Sequence, residues 1–227
     1  MKRLLPILSL LILSLAACIK ENGPKNETGG PDPIPPKILS RDTLTTGGLW
    51  GINIGQNSAD IYTNLQAMRV DRSLGGMGIV NNVYSSLEGL ENTLPLYTSV
   101  FLDEAKGTST GVQIGFADDK VKTIFNNNGV QFSQWPQGNS ADARVTVGDP
   151  VTAVYQKLVK IKAQGTYANK FERISIFFKD MAKAYDPQMS ASPQWYFVSA
   201  ISEKRHQQLT LNFTAGKLVS IYSVVYE

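Results

Sequence analysis

Ile52-Asn53-Ile54-Gly55, continued by Ser58-Ala59-Asp60-Ile61-Tyr62-Thr63-Asn64-Leu65, has a counterpart in Val145-Thr146-Val147-Gly148, continued by Val151-Thr152-Ala153-Val154-Tyr155-Gln156-Lys157-Leu158, at a constant offset of 93 residues. Gly55 matches Gly148, Tyr62 matches Tyr155 and Leu65 matches Leu158, while Ile52, Ile54 and Ile61 become valines. Self-similarity at a fixed spacing marks a repeated unit. Each copy opens with a short apolar-alternating stretch that stops at a glycine, the residue best able to turn the chain. A helix should follow. Its apolar stripe falls at Ile61, Leu65 and Met68 in one copy and at Val151, Val154, Leu158 and Ile161 in the other, the spacing of one helical face. Asn57 or Ser58 can cap the first helix, with Asp60 favourable in its first turn. Asp149 and Pro150 suit the cap and first-turn positions of the second, and Gly165 should end it.

A second correspondence lies downstream, at an offset of 97. Val112-Gln113-Ile114-Gly115-Phe116 leads through Asp118-Asp119 into Lys120-Val121-Lys122-Thr123-Ile124-Phe125. Its partner Leu209-Thr210-Leu211-Asn212-Phe213 leads through Ala215-Gly216 into Lys217-Leu218-Val219-Ser220-Ile221-Tyr222. Apolar alternation on both sides of a tight polar turn describes a β-hairpin. Four extra residues between Asp180 and Pro193 would account for the change in offset. Further strands are expected over Ile79 to Tyr84, Leu94 to Leu102, Ile174 to Phe178 and Trp195 to Ile201, with a junction over Asn126 to Asn139. The expectation is an α+β fold of two tandem modules, 44–135 and 136–227, each an N-terminal helical segment packed on its own roughly four-stranded antiparallel sheet.

Ahead of this body, Lys2 and Arg3 precede an apolar run from Leu4 to Leu15 that is shorter than the roughly 20 residues a membrane-spanning helix needs. A basic start, a short apolar stretch and a small-residue end make a signal peptide over 1–17. Leu15-Ala16-Ala17-Cys18 resembles the lipobox of bacterial lipoproteins, which implies cleavage before Cys18, diacylglycerol on its thiol and acylation, typically with palmitate, of the new N-terminus. Cys18 is the one cysteine of the chain, and a thioether would resolve the problem of a lone thiol in an oxidising compartment. Residues 18–43 then form a lipidated cysteine and a flexible linker rich in Gly, Pro and Asn. The expected location is the cell envelope, lipid-anchored, at the outer membrane, facing the periplasm or the cell surface. Of 22 basic residues, Lys2 and Arg3 leave with the signal, so 20 remain against 19 acidic, a balance of +1. With no basic cluster, nucleic acid is not an expected partner.

The repeated motifs resemble the family that includes the outer-membrane-assembly lipoproteins of the SmpA/OmlA type and the β-lactamase-inhibitor protein. In that family a glycine introduces a helix carrying Val/Ile-Tyr-x-x-Leu, and a Phe-x-x-Gly-Lys-Leu-x-x-Ile hairpin closes the sheet. Gly148, Val154, Tyr155 and Leu158 fit the first part, and Phe213, Gly216, Lys217, Leu218 and Ile221 the second. The first half fits through Gly55, Ile61, Tyr62, Leu65, Phe116, Lys120, Val121 and Ile124, with Asp119 in place of the glycine. The resemblance implies BLIP-like modules that bind through a sheet surface. The inhibitor branch relies on disulfides this chain lacks the cysteines to form.

No catalytic constellation stands out. His206, the one histidine, lies in the polar run Glu203-Lys204-Arg205-His206-Gln207-Gln208 and reads as a solvated turn residue; nucleophilic sites built on imidazole would all depend on it, and histidine- or cysteine-based zinc sites lack ligands. Neither a metal nor a cofactor is expected, and the protein reads as no enzyme. Aromatic residues are the better lead. Trp195, Tyr196 and Phe197 are consecutive on a strand, so alternation sends Tyr196 to the face opposite the other two. Tyr97 and Phe101 share a parity in the corresponding first-half strand. These five form the candidate binding surface. The leading expectation is a membrane-anchored, non-enzymatic scaffold for another envelope protein; the alternatives are a surface glycan-binding lipoprotein or an inhibitor of an envelope or secreted enzyme.

Overall fold

The computed structural model describes residues 36–227; the signal segment, Cys18 and the linker as far as Pro35 lie outside the described residues. In chain order the first half contains β1 (Ile38–Leu44), β2 (Gly48–Leu49), β3 (Ile52–Asn53), α1 (Ser58–Ala67), β4 (Gly76–Ile79), β5 (Val83–Tyr84), β6 (Ser99–Asp103), β7 (Val112–Ala117) and β8 (Lys120–Asn126). β9 (Gln134–Trp135) lies at the junction, and the second half contains β10 (Val145–Thr146), α2 (Val151–Ala163), β11 (Arg173–Ser175), β12 (Phe178–Asp180), β13 (Gln194–Ala200), β14 (His206–Thr214) and β15 (Lys217–Tyr226).

Local chemistry sets many of these elements. Asn57 caps α1, its side chain accepting from the Asp60 amide. Gly165, at φ 81°, follows the end of α2. Both hairpin turns hold two residues at positive φ, Asp118–Asp119 and Ala215–Gly216, which a type I′ turn requires. Asp149 does not cap α2, contrary to expectation. Its carboxylate accepts from the Thr146 amide at 2.7 Å and pairs with Lys157 at 2.6 Å, and Pro150 takes the cap position. The linker also ends earlier than expected. Ile38–Leu44 is a strand, paired with β15 from Ile38–Tyr226 to Leu44–Ile221. It buries almost no side chain, so no apolar pattern announced it.

The expectation of two tandem modules, each a helix on its own sheet, is overturned by the strand order. One sheet runs β5-β11-β6-β7-β8 and the other β1-β15-β14-β13-β4-β12. Second-half β11 thus sits inside the first-half sheet, and first-half β4 inside the second-half sheet. The helix starts cross over as well. Gly55 N donates to Leu218 O at 2.8 Å and Ser58 N to Gly216 O at 3.1 Å; in the other half Gly148 N donates to Val121 O at 2.8 Å and Val151 N to Asp119 O at 3.0 Å. Each helix is therefore tied to the other half's closing hairpin, and matched positions make matched bonds.

The sheets meet where β4 runs into β5 and β11 into β12. Ile79 N donates to Phe177 O at 2.7 Å, Ile176 N to Asn82 O at 3.0 Å, Thr98 N to Phe178 O at 2.8 Å and Val80 N to Gln194 O at 3.0 Å. These bonds join them through a shared two-stranded ribbon. Side chains from both sheets and both helices, including Ile61, Leu65, Val154, Leu158, Val100, Leu102, Ile114, Trp195, Leu209 and Leu211, pack into one core cluster. The helices lie on that side; the opposite face of the sheets is open.

Because β4 and α1 complete the second-half sheet, residues 136–227 alone should not form a cooperative unit. Expressed alone, this fragment is expected to show no thermal transition, and mixing it with 36–135 should restore one. Cooperative melting of the lone fragment, followed by circular dichroism, would contradict the exchanged arrangement.

Candidate functional site

Alternation along β13 buries Trp195 and Phe197, at 0% and 3% exposure, and turns Tyr196 and Val198 to the open face. Tyr97 is buried as well: it follows the 3₁₀ turn Leu94–Leu96, and its hydroxyl donates to Asp186 Oδ2 at 2.7 Å. Phe101, between the fully buried Val100 and Leu102, reaches the open face. Of the five aromatic residues expected on a binding surface, Tyr97, Trp195 and Phe197 therefore belong to the core. Their parity faces the helices, so they are packing residues and not part of a binding surface. Phe101 and Tyr196 remain.

Two neighbours that alternation did not single out join them. Ile174 and Ile176 face the core, then Phe177 and Phe178 both line the open side, and Lys179 is buried again. The alternation slips by one residue where the chain crosses from one sheet to the other. Phe178 is 44% exposed and meets Tyr196 edge-on, with centroids 6.3 Å apart and an interplanar angle of 80°. Tyr196 lies directly over Gly78, where a β-carbon would fall inside its ring. Phe101, Phe177 and Phe178 form the apolar end of a depression of about 640 Å³; its polar lining includes Ser99, Asp103, Thr108, Gln113, Asn127 and Arg173.

Asp103 anchors the polar end. Its carboxylate accepts from the Glu104 amide at 2.8 Å, the Thr108 hydroxyl at 2.7 Å, the Thr108 amide at 2.9 Å and Asn127 Nδ2 at 3.2 Å. Burial opposes its ionisation, but the Thr108 and Glu104 hydrogen bonds and nearby Lys170 outweigh it and hold the carboxyl below the usual range. Lys170, also buried, is bound by Glu104 at 2.8 Å and Thr110 at 2.7 Å. Arg173 stands opposite Asp103 on the ladder and lines the depression. Among the described residues it forms no ion pair and no side-chain hydrogen bond. It is the site's uncommitted cation.

Beneath the aromatic patch, on the helix side, a buried polar cluster fixes the crossing. Lys179, 0% exposed, donates to Asp180 O at 2.9 Å and sits over the rings of Tyr62 and Tyr97, 5.2 and 5.9 Å from their centroids. Tyr62 donates to Lys183 O at 2.8 Å, and Asn82 Nδ2 to Ile176 O at 2.8 Å. Burial pulls Lys179 down from 10.5 to about 8, against the attraction of Asp180 and Asp186. Burial, then the nearby Asp186 charge, pushes Tyr84 up to about 12 and raises Tyr97; burial, then the Asp180 charge, raises Tyr62.

No family profile, curated protein or solved structure matches this chain. Among the described residues no group of His, Cys, Asp and Glu has the arrangement of a metal site, and His206 stacks on Tyr226 with centroids 5.6 Å apart.

The buried cluster sets a pH response. Between about 8 and 10.5 the unfolded chain binds a proton at Lys179 that the folded chain has released, so stability rises with pH across that window. Above about 10 the unfolded tyrosines ionise while Tyr62, Tyr84 and Tyr97 stay protonated, so stability falls. Urea unfolding from pH 7 to 11 should therefore show a maximum at about pH 9–10. Lys179→Met should remove the rising limb and raise stability at pH 7 by about 1–3 kcal/mol. A flat profile in the parent protein would refute this account.

Proposed function

We propose that this protein is a non-catalytic envelope lipoprotein, anchored through Cys18, that captures a carbohydrate chain on the open face of its sheet. The observation that carries this reading is the grouping of Phe101, Phe177, Phe178 and Tyr196 on the face that the helices leave bare, beside a depression lined by amides and hydroxyls. Sugar rings lay their C–H surfaces on aromatic rings and exchange hydrogen bonds with planar amides and hydroxyls, so a surface with both kinds of group fits them. Solvent-facing aromatics in one patch are costly to keep unless they bind something. The lipobox cysteine and the linker behind it support tethering.

A second reading rests on a different place. β1 is an outer strand whose far edge pairs with no other named strand, and Ile38 and Leu39 are 44% and 38% exposed. An extended segment of another envelope protein could add to that edge through main-chain hydrogen bonds.

Glycan-array binding by the soluble body should be positive. Phe178→Ala should weaken it about three- to tenfold, the worth of one aromatic contact, with unchanged melting. Removal of residues 36–44 should leave it intact. A folded protein that binds no glycan, or binding that depends on β1 and not on Phe178, would defeat the carbohydrate reading in favour of the edge. Cys18→Ser should move the protein from the membrane to the soluble fraction.

A further inference from the structure

We infer that the depression at Arg173 is a subsite for an acidic sugar, a uronate whose carboxylate pairs with the guanidinium while its ring lies against the phenylalanines. The inference rests on the carbohydrate reading and narrows it. Arg173 is charged at every physiological pH. Arg173 lines the same depression as Phe101, Phe178 and Asp103 and forms no ion pair or side-chain hydrogen bond among the described residues, so its guanidinium N–H groups are available to an anion delivered by a ligand. The nearest acid does not serve: the Asp103 oxygens are already taken by Thr108, Glu104 and Asn127, with Lys170 at 3.9 Å.

Two features narrow the anion. Among the described residues lining the depression Arg173 is the one cation and Asp103 the one acid, a balance that accepts the single charge of a carboxylate more readily than a phosphate dianion. The site also lies on the face of the sheet, where side chains alone are presented; a peptide is read along a sheet edge, where backbone groups are free. Ser99 and Gln113, which line the same depression, have no side-chain hydrogen-bond partner among the described residues and stand ready for ring hydroxyls.

The test is calorimetric titration of the soluble body, residues 19–227, with oligomers of galacturonate, glucuronate and mannuronate, each beside its carboxyl-reduced counterpart. At least one uronate oligomer should bind, and its reduced form should bind about tenfold or more weakly, the usual loss for a charge-assisted bidentate pair. Arg173→Met should weaken the uronate by the same factor and leave the reduced oligomer unchanged; Phe178→Ala should weaken both. Melting curves of each variant exclude misfolding, which is not expected because Arg173 holds no described partner. Equal binding of acidic and reduced oligomers, or an Arg173→Met variant that still prefers the acid, overturns the acidic subsite and leaves the carbohydrate reading standing. Binding of none of these oligomers, with neutral glycans still bound on an array, also overturns it. Failure of every glycan removes both, and a response to peptides ending in a free carboxylate would assign the site to protein partners.

Discussion

The antiparallel ribbon made by β4–β5 and β11–β12 is the constraint on which the rest of the molecule depends. Each of its strands starts in one sheet and finishes in the other, so the ribbon belongs to both and neither sheet is complete without it. The bonds Ile79–Phe177 and Ile176–Asn82 hold its middle, and Lys179, Tyr62, Tyr97 and Asp186 fill the space beneath it. Burying a lysine there has a cost. Two aromatic faces and the Asp180 carbonyl offset part of it, and they hold the register that presents Phe177 and Phe178 to the open side.

What was legible in the sequence was local. The hairpins, both helices, the Asn57 cap and the stop at Gly165 all follow from alternation, helical spacing and backbone preference within a dozen residues. The exchange between halves does not. When two copies carry the same pattern, β4 fits either sheet equally well as far as its own residues show, and pairing is decided by chain connectivity. β1 was hidden for another reason: its main chain is paired while its side chains face solvent, so it resembles a linker. At Asp149 two jobs competed, and the Thr146 turn with Lys157 won over the helix cap.

The site shows the same division. Tyr196 and Phe101 followed from strand alternation, but that rule does not say which parity faces the helices, and Trp195, Phe197 and Tyr97 fell on the buried side. Phe177 and Phe178 broke the rule itself, because the slip at the crossing puts consecutive residues on one face. Arg173 carried no signal at all. A charged residue starting a strand is ordinary; its meaning comes from Asp103 having filled its bonding capacity elsewhere, a fact of packing around the 104–111 loop.

The position of β1 has a mechanical consequence. The chain enters the sheet at Lys37, whose backbone is bonded in both directions to Glu227, and β1 then runs antiparallel along β15. Tension applied to the chain ahead of Lys37 would load that first pair and then each following pair in turn, the unzipping geometry, rather than all of them at once. Strand β1, whose side chains are almost all exposed, would peel while the single core cluster shared by the two sheets stayed closed. Its seven residues would release roughly 20 Å of extra reach, so that a pull from the N-terminal side would be met first by lengthening there and only later by opening of the packed interior.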